Sequence, residues 1–249
     1  MSVPKTLSKV THTSVLGTIR LRYEKDAGTL TYVQRGGNQS AVDRAGTSLD
    51  TYIHAIYGLI VQTPAMNVLM IGCGGGTLGK MLSVIGKRVT IVDIDEASFR
   101  LAKRHFSLPG NIKCHVGDGL AYLQKTRRRF DTVVIDAFVG EKIPPQLAGD
   151  AMAVAARRCL RRDGTLYVNV CLDNRADRPA DKIGRHLTEN GWPVRLLYQS
   201  GGARNAVVAA GNVKKLRPPV LIHPPEVEVP RIKIELRHMR FRRLLGKGP

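Results

Sequence analysis

The chain has little acid for its size. Against 39 lysines and arginines stand 20 aspartates and glutamates, a formal net charge of +19 over 249 residues. That balance suits a polyanion or an acidic membrane surface, and a generally basic proteome would produce it too. Cysteine is sparse: Cys73, Cys114, Cys159 and Cys171 form no C-x-x-C pair, which argues against both a zinc site and a disulfide framework. There is no run of about 18 apolar residues, so no membrane-spanning helix is expected. The first ten residues, M-S-V-P-K-T-L-S-K-V, lack the apolar core of a signal peptide, and the expectation is a reduced, cytoplasmic protein.

What is present is a strand that runs directly into a glycine-spaced turn. Val68, Leu69, Met70 and Ile71 are continuously apolar, as in a strand buried on both faces of a parallel sheet. Gly72, Gly74 and Gly76 then alternate, and Leu78, Met81, Leu82 and Ile85 follow at helical spacing. Glycine lets the backbone approach a ligand closely, and a helix N-terminus offers free N–H groups to an anionic one. The order strand, glycine turn, helix therefore predicts a nucleotide-type site.

The rest of the chain repeats the alternation. Strands are predicted at Val89 to Val92, Ile112 to Val116, Thr132 to Ile135, Leu166 to Val170, Val194 to Tyr198 and Ala206 to Ala210, with helices between the earlier ones. The short link from Gln199 to Gly202 predicts an antiparallel pair at the end of the sheet, because a parallel pair needs a long crossover. The expected fold is α/β, a doubly wound Rossmann-like sheet with a reversed terminal strand. Residues 1–47 read as a β-hairpin appendage and 48–211 as the main domain. A helix from Leu49 to about Gln62 opens that domain, with Ser48 as its N-cap. Residues 212–249, rich in proline and then in arginine, read as a tail.

Ligands of such sheets bind beyond the carboxyl ends of the strands, and three of those ends carry an aspartate. Asp93 follows the glycine turn by roughly 20 residues, the distance at which an acid reaches ribose hydroxyls. Asp118 is placed to accept a bond from an adenine amino group. Asp136 lies where a reacting group would sit, and a carboxylate there can hold a cationic amine or take its proton. No histidine or cysteine falls at metal spacing, and no metal is expected. Cys73 reads as a small filler, Arg127-Arg128-Arg129 as a solvated turn, and Arg237 to Arg243 as a solvated tail or, alternatively, a contact for nucleic acid or acidic lipid.

Together these motifs resemble the spermidine synthase family of polyamine aminopropyltransferases, in its divergent spermidine-synthase-like branch. The likeness rests on Gly72-Cys73-Gly74-Gly75-Gly76-Thr77-Leu78, Val92-Asp93-Ile94-Asp95, Gly117-Asp118-Gly119 and Ile135-Asp136-Ala137-Phe138, and covers about residues 16 to 211. It implies the class I methyltransferase type of fold and an adenosyl sulfonium donor, decarboxylated S-adenosylmethionine, whose aminopropyl group passes to a small amine. It also implies that Asp136 is the catalytic carboxylate, that Gln39, Gly72, Gly74, Gly76, Asp93 and Asp118 hold the donor, and that His54 and Phe138 face the acceptor. Family members often pair as homodimers. Gly75 and Val139 depart from the pattern, since the family has aspartates at both places, and His54 stands where an amine-binding tyrosine is usual. Without an acid at Gly75 the loop would also admit intact S-adenosylmethionine, which leaves methyl transfer as an alternative. A nucleotide- or nucleic-acid-binding protein without turnover is a third reading.

Overall fold

A computed structural model describes residues 6–172, 178–199 and 205–244. Four antiparallel strands come first: β1 (Thr6–Ser14), β2 (Gly17–Glu24), β3 (Thr29–Gln34) and β4 (Gly37–Val42), in the order β1-β2-β3-β4. The sequence pattern predicts only a hairpin here; β1, with few apolar residues, carries too weak an alternation to be seen. Ile19, Leu21, Leu30, Tyr32 and Val42 point to one side and bury against Ala97, Leu101 and Phe106 of the main domain. A sheet this small has no core of its own and is held by that contact.

The main sheet has eight strands, assembled around β5 (Asn67–Ile71). On one side of it lie β6 (Arg88–Asp93) and β7 (Lys113–Val116), and on the other β8 (Phe130–Ile135) and β9 (Leu160–Cys171), all parallel. β11 (Asn205–Gly211) pairs antiparallel with β9, and β10 (Val194–Gln199) pairs antiparallel with β11. The reversed strand is therefore β11, set between β9 and β10. Residues Ser200 to Gly202 of the link between β10 and β11 lie outside the described residues.

Helices cover both faces. α1 (Thr51–Val61), α2 (Thr77–Val84) and α3 (Glu96–His105) pack with Met70, Ile91, Val134 and Tyr167 on one face. α4 (Gly119–Lys125), α5 (Asp150–Cys159) and α6 (Pro179–Glu189) pack with Leu69, Val133, Leu166 and Val208 on the other. The N-cap of α1 is Asp50, in extended conformation and without a side-chain cap bond, not Ser48; Ser48 Oγ instead accepts the Asp50 N–H at 3.1 Å. Asp95 caps α3 as its sequence predicts, accepting from the Ala97 N–H at 3.0 Å.

The segment that reads as a tail is built into the sheet. Val229–His238 forms α7, and Met239–Arg242 forms β12, an edge strand antiparallel to β10. Ile232, Leu236 and Met239 are fully buried against the α1 side of the core. Ile232 and Leu236 are one helical turn apart, a pattern too short to stand out among the surrounding charges and prolines. Arg242 makes a two-point ion pair with buried Asp181 of α6 at 2.7 and 2.8 Å. Arg195 stacks on Phe241 with 3.8 Å between guanidinium and ring centre.

Candidate active site

The crevice opens at β5, where the strand order reverses: the chain leaves β5 toward β6 and β7 on one side and returns from β7 to β8 on the other. Backbone bonds carry the sheet up to its rim: Gly72 N–H donates to Val92 O and Asp136 N–H to Ile71 O, both at 2.8 Å. Gly72 lies against the Asp136 backbone at φ +101°, where any Cβ would collide with the Asp136 carbonyl. Only glycine fits there. Gly76 enters α2 in the left-handed region, its absent Cβ facing Leu108. Gly75 has an ordinary φ, but a Cβ on it would come within 2.7 Å of the Phe106 ring. The loop is thus closed from behind by Phe106 and from above by β4, whose Ser40 Oγ accepts the Gly75 N–H at 3.0 Å.

Two cavities meet at this loop. The first, of about 560 Å³, is lined by Gly72, Gly74, Asp93, Asp118 and Asp136, with Gln39 and Tyr32 from the N-terminal sheet and Ile143 to Leu147 opposite. Its size and mixed lining are those of a small-molecule site. Asp93 is held by two backbone donors, the Cys73 N–H at 2.7 Å and the Asp95 N–H at 2.8 Å. Burial nevertheless pushes its carboxyl up to about 6. Asp118 Oδ1 caps α4 by accepting the Ala121 N–H at 2.7 Å. Gln39 donates to the Gly140 carbonyl at 3.0 Å and ties β4 to the loop after Asp136.

The second cavity, of about 230 Å³, is polar and shares Gln39, Cys73, Gly74, Asp136 and Phe138 with the first. Asp136 stands at the junction. Asn169 of β9 donates to Asp136 Oδ1 at 2.8 Å, and Asn205 of β11 donates to Asn169 Oδ1 at 3.0 Å. Tyr52 of α1 reaches the other oxygen, at a long 3.5 Å. Burial raises the Asp136 carboxyl to about 6; Asn169 and Tyr52 pull it down and the nearby Asp50 charge pushes it up. Asp50 lines the same cavity and is itself raised to about 6 by burial, with the Ala41 N–H bound to Oδ2 at 3.0 Å. Burial also holds the Tyr52 phenol far above its usual range, so it acts as a neutral donor.

A third cavity, of about 530 Å³, shares Asn38, Asp50, Tyr52 and Asn205 with the second and leads outward between the N-terminal sheet and α7. Glu24, Glu228 and Glu235 line it beside Arg231. Arg231 bonds Glu228 at 2.7 Å, Glu235 at 3.1 Å and the Leu49 carbonyl at 2.8 Å, which joins α7 to the start of α1.

Of the residues singled out in the sequence, Gln39, Gly72, Gly74, Asp93, Asp118, Asp136 and Phe138 line one or both of the first two cavities. Gly76 shapes the turn without lining either. His54 is buried in α1 with its ring Nε2 on the Ser48 carbonyl at 2.7 Å, lines none of these cavities, and so is a packing residue. The aromatic hydroxyl beside Asp136 belongs to Tyr52, one half-turn earlier on α1. Asp50, Tyr52, Asn169 and Asn205 are the site residues that motif reasoning misses, because no local pattern marks them.

Known proteins resemble this chain in part of its sequence or in its fold. A methyltransferase domain family model matches residues 68–164. A polyamine aminopropyltransferase of Vibrio vulnificus is 29% identical over 119 residues, covering 45% of this chain and 40% of that protein. An N-terminal histidine N-methyltransferase of Emericella nidulans is 29% identical over 126 residues, covering 49% of this chain and 23% of the other. The alignments thus span less than half the length of either relative. The crystal structure of a probable spermidine synthase from Corynebacterium glutamicum superposes with a TM-score of 0.74 at 16% identity, over 98% of this chain and 92% of that one.

Proposed function

We propose that this chain, similar in part of its sequence to polyamine aminopropyltransferases and in fold to a probable spermidine synthase, transfers an aminopropyl group from decarboxylated S-adenosylmethionine to a small amine. The observation that carries this reading is the placement of Asp136 at the junction of an adenosyl-sized cavity and a polar chamber that holds a second raised carboxyl, Asp50. The donor supplies a carbon already activated by its sulfonium. What this chain supplies is alignment and an unprotonated amine.

Asp93 offers its outward lone pairs to ribose hydroxyls while its inward ones stay on the loop N–H groups. In this reading Asp118, which lines the same cavity, takes the adenine side. Asp136 receives the ammonium of the acceptor and takes a proton from it, so that a nitrogen lone pair faces the donor; one C–N bond then forms and one C–S bond breaks. Asp50 holds a second positive charge of the acceptor, the part that an aspartate at Val139 would otherwise play. The net charge of +19 does not oppose this approach, since the outer cavity sets Glu24, Asp50, Glu228 and Glu235 against one guanidinium. Local carboxylates outweigh a distant field that salt screens within about 10 Å.

Methyl transfer from intact S-adenosylmethionine is the second reading, and Gly75 favours it. Nothing in the loop repels a donor carboxylate, and the N-terminus of α2 would attract one. Incubation with each donor and a mixture of amines, read by mass spectrometry, separates the two by the mass added to the acceptor. Asp136→Asn is expected to lower product formation at least 100-fold while calorimetric affinity for methylthioadenosine stays within about threefold. Product at the unaltered rate would remove Asp136 from the mechanism.

A further inference from the structure

The chain's positive charge is not spread evenly; the topology gathers much of it at the end of the sheet opposite the site. β5, β6, β7, β8 and β9 all begin at that end, β11 runs the other way and finishes there, and β10 begins there. The connection from α4 into β8 is Lys125-Thr126-Arg127-Arg128-Arg129. The end of α5 and the start of β9 add Arg157, Arg158, Arg161 and Arg162. Lys214, Lys215 and Arg217 follow β11, and Lys87 and Arg88 introduce β6. Asp131, Asp163 and Glu189 are the acids of this face, and Asp131 is already bound to Arg161 at 3.3 Å.

Several of these cations are set rather than loose. Arg129 donates to the Arg158 carbonyl, Arg157 lies over Trp192 at 4.4 Å and bonds the Asn190 carbonyl at 3.2 Å, and Arg128 lies over Phe130 at 5.4 Å. Arg127, Arg162, Lys214 and Lys215 are exposed and have neither hydrogen bond nor ion pair among the described residues. Like charges that outnumber the acids on one face repel one another, an arrangement that an anionic partner relieves.

We propose that this basic end docks the phosphate backbone of a duplex nucleic acid, leaving the active site at the opposite end open to solution. Strands about 4.8 Å apart put β6 and β10 about 24 Å from each other, close to the width of a duplex. Guanidinium groups predominate, and their planar fork matches phosphate oxygens. The loops at 125–129, 157–163 and 212–217 expose no large apolar side chain, for Phe130, Leu160, Val213 and Leu216 are all buried; Met66, Val84 and Ile85 are exposed beside Lys87 and Arg88 at the same end, so a bilayer is the competing occupant that the test must separate. The loops also expose no aromatic ring on which a single-stranded base could stack, which turns the preference to a duplex read by its backbone alone.

The test is fluorescence anisotropy with a labelled duplex of about 20 base pairs, titrated with the full chain across a salt series. The expected result is a log affinity that falls with log salt at a slope of about −4.5 or steeper, the signature of five or more phosphates neutralised. Replacing Arg127, Arg162, Lys214 and Lys215 together by Ser should weaken binding at least tenfold. Removing four exposed cations elsewhere, Arg20, Arg22, Lys25 and Lys233, should change it less than twofold, and saturating duplex should leave calorimetric affinity for methylthioadenosine unaltered. Equal losses in the two variants would reduce the effect to net charge and overturn the proposal, as would the absence of binding at low salt. Sedimentation with phosphatidylserine vesicles that is tighter than duplex binding and is lost in the Arg127, Arg162, Lys214 and Lys215 variant would overturn the proposal and reassign the face to a membrane.

Discussion

At the scale of single residues, the chemistry concentrates in three carboxyls, Asp50, Asp93 and Asp136, each raised to about 6 by burial. Raised acids gathered in one cleft mark a working site more than a structural one. In the proposed reaction Asp136 must be ionised to accept a proton, so turnover is expected to rise with pH through about 6, with an apparent value shared by the Asp50 and Asp136 pair. Asn169 donates to the ionised form and holds this value down. Asn169→Leu removes that donor, and the acid limb of the rate profile is expected to move to higher pH while the rate on the alkaline plateau falls less. An acid limb that stays in place would detach Asn169 from Asp136. Asp136 itself is legible in the sequence because a strand end is a position that topology fixes. Asn169 is not, since it looks like any polar residue in an apolar strand until β9 lies beside β8.

Among the elements, the glycine loop and the helix that follows behave as one packed unit with Phe106. Phe106 is buried, faces Tyr32 edge-on at 6.2 Å between ring centres, and fills the space a side chain at position 75 would need. Gly75 therefore answers to packing as well as to donor choice. Gly75→Asp is expected to destabilise the fold by about 1–3 kcal/mol, the usual range for forcing extra atoms into a filled core. Phe106→Leu makes room, so in a double-mutant cycle by urea denaturation the two changes should cost less together than their sum. Strict additivity would mean that the position-75 side chain escapes the ring. The strand, the loop and α2 are readable in advance because period, glycine spacing and apolar run agree. α7 and β12 are not, because two buried residues one turn apart and a four-residue strand gain their meaning only from the open edge of β10 and from the acids Asp181, Glu228 and Glu235 that hold their arginines.

For the whole molecule, the same half-buried carboxyls make stability depend on pH in an unusual sense. In the unfolded chain an aspartate titrates near 3.9, whereas Asp50, Asp93 and Asp136 hold their protons to about 6 when folded. Between pH 4 and 6 the folded state binds more protons than the unfolded one, so stability falls as pH rises across that window and levels off above it. Asp131, with its carboxyl lowered by the Asn67 and Met66 N–H groups and by Arg161, acts in the opposite sense below about pH 4, and His54 and His105, whose rings burial holds below their usual value, oppose the carboxyls as pH falls below about 6.5. Three raised carboxyls outnumber the two lowered histidines, so the thermal midpoint at constant ionic strength should be higher at pH 5 than at pH 7. Replacing Asp50 and Asp136 together by Asn should flatten most of that difference. A cationic acceptor acts on the same groups: with methylthioadenosine present, an added diamine should raise the midpoint more at pH 7, where both acids are ionised, than at pH 5, where binding must first release their protons. A diamine that stabilises equally at both values would place its ammonium groups away from Asp50 and Asp136, and the acceptor chamber would have to be sought elsewhere along the cleft.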